Sequence, residues 1–468
     1  MPSGAAIEAF EACVNFSYNK EPHLTSENII AVACMAAFLN MTENHSPDNL
    51  LKLSMSFLST HILPHWDTTI KAFKSTEPIL SHAKNLGLVD SCLKSISDKA
   101  FADLRLLEDP KSFDEPKFGG ARRRLFLDSF TEDITSLTLP LFELTISALR
   151  LSGIPQDHIG QCLSRYTKRW IEEGSPSSIY HRNKLKKIIE SIEALLPDKR
   201  GSLHASTLLR ILRAAINVQA NETCLQRLEN RIGMQLAEAS VEDLLIPNYG
   251  YSKNMKYDLD SMKRILSYFI RSCFNVPSSR EPEMVIEIME EYAAEVAKDE
   301  DLGHGEFVDL VETMTVMLEQ RGLSYDGVYR AVDIYLDSHG HLTEMEREVV
   351  CRVLNCRRLS EEACEHAVQN ERLSLRTVAQ VLFVGQLRIR EVISWGESYE
   401  EQEKKEVVVM EDEKEEEEEE EVKVGGNGGV VEKEKKEKRG VWQGVKELFG
   451  CKRGSRELKC HVVKRVHP

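Results

Sequence analysis

From the start of the chain to about Trp395, apolar residues recur every three or four positions. Alternation at a period of two is hard to find, so the pattern predicts helices throughout this stretch. Ile188, Ile189, Ile192, Leu195 and Leu196 make one stripe, closed by Pro197 just ahead of a Lys-Arg-Gly turn. Ser202 or Ser206 then stands where the N-cap of a second helix is expected, one carrying Leu208, Leu209, Leu212, Ala215 and Ile216. Similar stripes run over 134–149, 159–171, 262–270 and 284–296. Each is read as the core-facing side of a helix packed against antiparallel neighbours, which makes the body all-α.

Breakers divide that body. Residues 108–124 hold Pro110, Pro116, a Gly-Gly pair and the basic Arg122-Arg123-Arg124, the composition of a solvated linker between a first helical region (1–107) and a main one (125–395). Stretches 246–258 and 274–282 read as loops inside the main domain. Beyond Trp395, residues 396–440 are low-complexity Glu and Lys with a short glycine run. Like charges at this density repel, and there is too little apolar surface to offset the entropy of ordering, so a disordered acidic segment is expected.

Composition narrows the class. With 468 residues and 42% apolar content the chain can build two or three real cores. Much of the net charge of -16 sits in Glu411 to Glu421 and the end of the chain is basic, so bulk charge gives no indication of nucleic-acid binding. Eleven scattered cysteines do not space as a disulfide framework. The first residues lack a basic n-region and a continuous apolar h-region, and no window approaches the roughly 20 apolar residues of a spanning helix. A reducing, cytoplasmic setting is the expectation.

Little in the chain points to catalysis. Cys351, Cys356, Cys364 and His366 are close in sequence, but their intervals of five, eight and two residues follow helical stripes rather than the paired C-x2-C spacing of structural zinc. Buried thiols are expected there, and no metal or cofactor. His339 and His341 flank a glycine ahead of Thr343 and Glu346, which together form a capping box opening a helix. The glycines at 425–429 lie in charged low-complexity sequence, not between a strand and a helix, and neither G-x-S-x-G nor H-E-x-x-H occurs. No catalytic residue is assigned.

The stretch from Tyr325 to Ile393 is the most specific. Its core, AVQNERLSLRTVAQVLF from Ala367 to Phe383, closely resembles the carboxyl-terminal signature of the plant non-phototropic hypocotyl 3 family, whose members are signalling adaptors. The likeness extends back through Cys224–Pro247 (CLQRLENRIGMQLAEASVEDLLIP), the blocks at 187–216 and 257–270, and a start near Phe130-Thr-Glu-Asp-Ile134, where Ser129 and Phe130 replace the usual tryptophan pair. Val384-Gly385 departs from the commoner Phe-Glu. Residues from Glu8 to about Ala100 resemble the second half of a plant BTB/POZ domain and the helices that follow it, a partial BTB/POZ remnant without the strand-rich first half.

The resemblance implies a non-catalytic adaptor in light or phototropic signalling, in the role of a substrate-selecting subunit of a cullin-3 ubiquitin ligase. Its expected partners are cullin-3, a photoreceptor kinase and family homologues, and Tyr329 and Tyr335 are its candidate phosphorylation targets, with buried packing as the other reading of both. Their six-residue interval puts the two tyrosines on different helix faces.

The last segment, 441–468, is a short basic amphipathic tail. Trp442, Val445, Leu448 and Phe449 fall on one narrow helical face, with Lys446, Lys452 and Arg453 among the surrounding bases. This is the composition of an interfacial anchor on an anionic membrane, each base contributing about 1 kcal/mol near the surface; docking on the acidic run or on the helical body is the other reading. Ser455 follows Arg453 by two, as basophilic kinases favour. Phosphate there removes about two charges and is expected to release the tail or recruit a 14-3-3 protein. A membrane-associated scaffold without a ligase role, peripheral at the plasma membrane, is the alternative to the ligase adaptor.

Overall fold

The computed structural model describes residues 3–108, 133–172, 179–249, 255–272 and 280–391. Among the described residues there is no β-strand, and one isolated antiparallel bridge, Pro247 to Tyr257, closes the neck of the 246–258 loop. The all-α expectation holds. Residues up to Gly385 form one compact unit; of the second unit, 386–468, the described part is 386–391.

Six helices open the chain: α1 (Ser3–Ser17), α2 (Ile29–Phe38), α3 (Leu50–Phe57), α4 (Trp66–Ser75), α5 (Leu80–Asn85) and α6 (Leu88–Ala102). Helix α2 is apolar nearly all round, with Ile29 to Cys34 and Ala36 buried, as a helix at the centre of a bundle must be. Helices α1, α3 and α4 pack against it. Helix α6 packs on α4 and on α7 (Leu139–Leu151), the first long helix of the main domain, so the two regions share one core.

The chain leaving α6 is pinned as well. Arg165, on α8 (Gln156–Thr167), donates to the carbonyls of Leu107 at 3.2 Å and Glu108 at 2.9 Å, and also pairs with Asp133. Asp133 in turn caps the 3-10 turn Ile134–Ser136. One guanidinium therefore gathers both ends of residues 109–132, which lie outside the described residues and include the expected basic cluster.

The remaining elements are α9 (Ile179–Ala194), α10 (Ala205–Asn217), α11 (Glu222–Met234), the single turn α12 (Val241–Leu244), α13 (Leu259–Ser272), α14 (Glu281–Val296), α15 (His304–Arg321), α16 (Asp326–Ser338), α17 (Glu344–Cys351), α18 (Glu361–Gln369) and α19 (375–391). The apolar stripes are buried as expected apart from Met284, which is exposed, but four boundaries differ. Neither Ser202 nor Ser206 caps α10: the N-cap is His204, without a side-chain bond, because Ser202 lies where its carbonyl backs onto Gly160 and Ser206 is already inside the helix. The 134–149 stripe is interrupted at Thr138, which is extended, and α7 restarts with Pro140 in its first turn. The stripe over 159–171 passes from α8 into a π turn at Lys168–Glu172. Helix α14 begins at Glu281, inside the expected 274–282 loop, because Pro282 suits a first helical turn, where no N–H is needed.

Two glycines set helix spacing. A Cβ at Gly233 of α11 would stand 2.8 Å from the Ile265 carbonyl oxygen and 2.8 Å from Tyr268 Cβ on α13, and α11 and α13 form one of the closest helix pairs in the unit. At Gly160 of α8 a Cβ would fall on the Ser202 carbonyl oxygen. Beside Gly233, Arg264 of α13 clasps Glu229 of α11 with both its Nε and Nη2, at 2.9–3.1 Å, and Glu229 is 1% exposed.

A carboxyl at the α14–α16 crossing titrates near neutrality. Desolvation pushes Glu290 up to about 7, Arg330 opposes that shift, and Asp326 and Glu287 reinforce it. Gly327 leaves the room for it: a Cβ there would meet Glu290 Cγ at 2.6 Å. Since the folded-state value is raised, the group's contribution to stability is fully present below the unfolded value and is lost as pH rises to about 7. Glu290→Gln is therefore expected to stabilise the fold at pH 8 by about 1–2 kcal/mol after allowance for solvent screening, read as a higher thermal midpoint. Near pH 4.5 no gain is expected; equal shifts at both pH values would disprove the assignment.

Candidate interaction site

The signature stretch folds back on α16. Tyr335 is fully buried, stacked on Phe307 at 4.2 Å and on His339 at 3.9 Å, and its hydroxyl donates to the Leu302 carbonyl at 2.8 Å. Tyr329 points to another neighbour, its hydroxyl 2.6 Å from His366 Nδ1 on α18 and accepting from Asn370 Nδ2 at 3.2 Å. Desolvation raises both phenols above their ordinary range. The two tyrosines thus face different partners, as their spacing implied. Both hydroxyls are held inside the fold, so phosphoryl transfer to either requires local opening.

Asn370 and Arg372 carry the rest of the contact. Asn370 Nδ2 donates to Asp333 Oδ1 at 2.6 Å; Arg372 binds Asp333 through Nε at 3.0 Å and Nη2 at 3.1 Å, and Asp337 through Nη1 at 2.6 Å. Asp333 and Asp337 are four residues apart, one turn along α16, so a single guanidinium spans both. Ser374 then accepts from the Thr377 N–H at 3.3 Å, within the first turn of α19. The Asn-Glu-Arg-Leu-Ser sequence is in this sense a clasp and a start signal for α19. Asn370 and Arg372 lie in the signature segment, but Asp333 and Asp337 do not stand out from sequence alone, though their Asp-x3-Asp interval is the signal that could have marked them.

The clasp positions α19 so that a groove of about 800 Å3 opens beside it. Its floor is apolar, from the buried Val353, Leu354, Cys356 and Val384. One wall is the face of α15 bearing Glu312, Thr315 and Glu319, and the other the face of α19 bearing Arg376, Ala379 and Phe383. Arg352, Asn355 and Arg357 contribute from the turn between α17 and α18. Phe383 is 58% exposed and Leu382 beside it 48%. Tyr325 closes one side, its phenol pushed up to about 12 by burial and by the Glu319 carboxylate, which accepts its hydroxyl at 3.4 Å.

Of the cysteine group, Cys356 lines this floor. Cys351, Cys356 and Cys364 are buried and in no disulfide, and burial raises the first two thiols. His366 is turned to Tyr329. Among the described residues no cluster of three or more histidines, cysteines or carboxylates is arranged to hold a metal ion. Thr343 and Glu346 form the expected capping box, and His339, 2% exposed, bonds the Tyr335 carbonyl through Nδ1 at 2.8 Å. The tail positions Trp442, Val445, Lys446, Leu448, Phe449, Lys452, Arg453 and Ser455 lie outside the described residues. No helix among the described residues is long and apolar enough to cross a membrane.

With this architecture in place the comparisons with known proteins are specific. Residues 128–364 match the NPH3 family, and the chain belongs to it. Among its relatives in Arabidopsis thaliana, BTB/POZ domain-containing protein At5g66560 is 33% identical over 83% of this chain and 63% of its own length. Putative BTB/POZ domain-containing protein At5g13600 is 35% identical over 83% of this chain and 72% of its own. BTB/POZ domain-containing protein At3g03510 is 33% identical over 97% of this chain and 87% of its own. The family match ends at Cys364, short of the clasp and of α19, but the alignment to the last relative covers nearly the whole chain.

Proposed function

We propose that this chain is a non-catalytic plant signalling adaptor that brings proteins together, and that it serves as a substrate-selecting subunit of a cullin-3 ubiquitin ligase in light or phototropic signalling. The observation that carries the reading is membership of the NPH3 family together with BTB/POZ relatives across both the N-terminal helices and the main domain. In this reading α1–α6 meet the cullin and the main domain presents surfaces to clients, among them a photoreceptor kinase or family homologues. The setting is cytoplasmic.

Capture of cullin-3 by the full chain tests it: saturable binding supports a ligase adaptor, and absence of binding removes the ligase role.

A second reading rests on the tail. Trp442, Val445, Leu448 and Phe449 flanked by Lys446, Lys452 and Arg453 have the composition of an interfacial anchor, which would make the chain a scaffold peripheral at the plasma membrane. Ser455→Asp is then expected to lower co-sedimentation with anionic vesicles, and phosphorylated Ser455 to bind a 14-3-3 protein. An unchanged vesicle-bound fraction would count against the anchor.

A further inference from the structure

We infer that Ser360, in the turn that opens α18, is a phosphate acceptor for a kinase that selects basic sequences, and that phosphate there turns a charge-balanced turn acidic. The inference is independent of the adaptor reading and of cullin-3.

Three observations lead there. First, Arg357-Arg358-Leu359-Ser360 is the one Arg-Arg-x-Ser sequence in the 468 residues. Kinases that select basic substrates line the groove ahead of the acceptor with carboxylates, so arginines three and two residues before a serine are read by charge and by bidentate geometry. Neither guanidinium is idle in the fold. Arg358 donates to the Leu318 carbonyl at 2.9 Å, near the end of α15, and Arg357, exposed, is engaged as well. Recognition therefore exchanges partners, and a carboxylate binds a guanidinium more strongly than a neutral carbonyl does.

Second, the backbone presents the serine. Leu359 (φ -74°, ψ 144°) and Ser360 (φ -64°, ψ 168°) are both extended, so their side chains point to opposite sides. Leu359 turns inward and is 2% exposed, which leaves Ser360 outward and exposed. A kinase can meet Arg357 and Ser360 at the surface without drawing Leu359 out of the core. As N-cap of α18, Ser360 Oγ accepts from the Ala363 N–H at 3.1 Å, and its second lone pair remains for attack.

Third, the other serines three residues after an arginine are committed elsewhere. Ser267 lies within α13, its hydroxyl on the Lys263 carbonyl at 2.8 Å, and its Arg264 clasps Glu229. Ser324 donates to the Arg358 carbonyl at 3.2 Å, and its Arg321 faces Glu283 at 3.8 Å. Among the described residues Ser360 alone joins the basic pair, an extended backbone and an outward hydroxyl.

In the transfer, Ser360 Oγ attacks the γ-phosphorus of MgATP. The Oγ–P bond forms as the bond from that phosphorus to the β,γ-bridging oxygen breaks, ADP leaves with the electron pair, and the hydroxyl proton passes to a kinase carboxylate. Arg357 and Arg358 balance Glu361 and Glu362 beforehand, and the phosphate adds about two negative charges. The N-terminus of α18 favours a dianion at this position, whereas Asp326, whose Oδ1 accepts from the Ser360 N–H at 2.9 Å, opposes it.

The test uses the full chain with MgATP and the catalytic subunit of cyclic-AMP-dependent kinase as an Arg-Arg-x-Ser-selective probe. Mass spectrometry resolves each phosphorylated position, so Ser455 is counted separately. Ser360 is expected to be phosphorylated at an initial rate within tenfold of that of a free peptide spanning 353–364, and faster than Ser267 or Ser324. Arg357→Gln should slow it at least fivefold, and Ser360→Ala should remove that phosphate while circular dichroism shows an unchanged fold. A Ser360 rate more than tenfold below the peptide's would overturn the inference, since the fold would then hide the hydroxyl. A smaller response to Arg357→Gln, or faster labelling of Ser267 or Ser324, would overturn it too.

Discussion

Gly160→Ala is expected to lower the thermal midpoint of the full chain by about 3–8 °C, the equivalent of roughly 1–3 kcal/mol of overpacking in a large domain. The new methyl group would sit on the Ser202 carbonyl oxygen, and backbone cannot rotate away as a side chain can. Either α8 lifts from the turn after α9 or that turn shifts, and both Ile159 and Leu203 are buried at the junction. Gly305→Ala is the control. It lies in the first turn of α15 with nothing within 4 Å of the added Cβ, so the change should be neutral or slightly stabilising. Thermal unfolding followed by circular dichroism reads both, and an indifferent Gly160→Ala would mean that the α8 contact is looser than described.

Arg264→Met is expected to cost about 3–5 kcal/mol, because it leaves Glu229 as an uncompensated carboxylate at 1% exposure. The reciprocal change is milder. Without Glu229 the guanidinium, 49% exposed, can turn to water, so Glu229→Met should cost less than Arg264→Met. The double variant is expected to regain most of the loss, since removing both charges removes both desolvation penalties. A chemical-denaturation cycle over the four proteins measures this, and additive losses would show that the clasp at 2.9–3.1 Å does not couple the two residues.

Much of the fold was legible because the amphipathic period was strong. The burial of Ile188, Ile189 and Ile192, or of Leu208, Leu209 and Leu212, follows from spacing alone. What sequence could not supply was where backbones approach. Gly160 and Gly233 look like ordinary helix-weakening residues until the turn and the helix against them are in place. The misplaced cap of α10 has the same origin: Ser202 is a good capping residue by type, but the approach of α8 commits its backbone elsewhere.

The interaction site was half legible. The Ala367 to Phe383 segment stood out as a family signature, whereas its physical work, Arg372 spanning Asp333 and Asp337, depends on a fold-back across nearly forty residues. The groove required more still, since it joins α15, the turn after α17 and α19, three elements with no sequence mark in common. Exposure is a further thing that spacing cannot supply: Tyr329 and Tyr335 sit 5% and 0% exposed.

The seam between α6 and α7 has an evolutionary corollary. Helices packed face to face must change together, so a larger side chain in α6 calls for a smaller one in α7 or a shift of the whole pair. N-terminal helices exchanged between two members of this family would carry one lineage's knobs into another lineage's holes, with Arg165 left to find new carbonyls. Chimeras joined within 109–132 part α7 and α8 from their own α6 and should therefore fold poorly, and recombination in this family should leave breakpoints elsewhere.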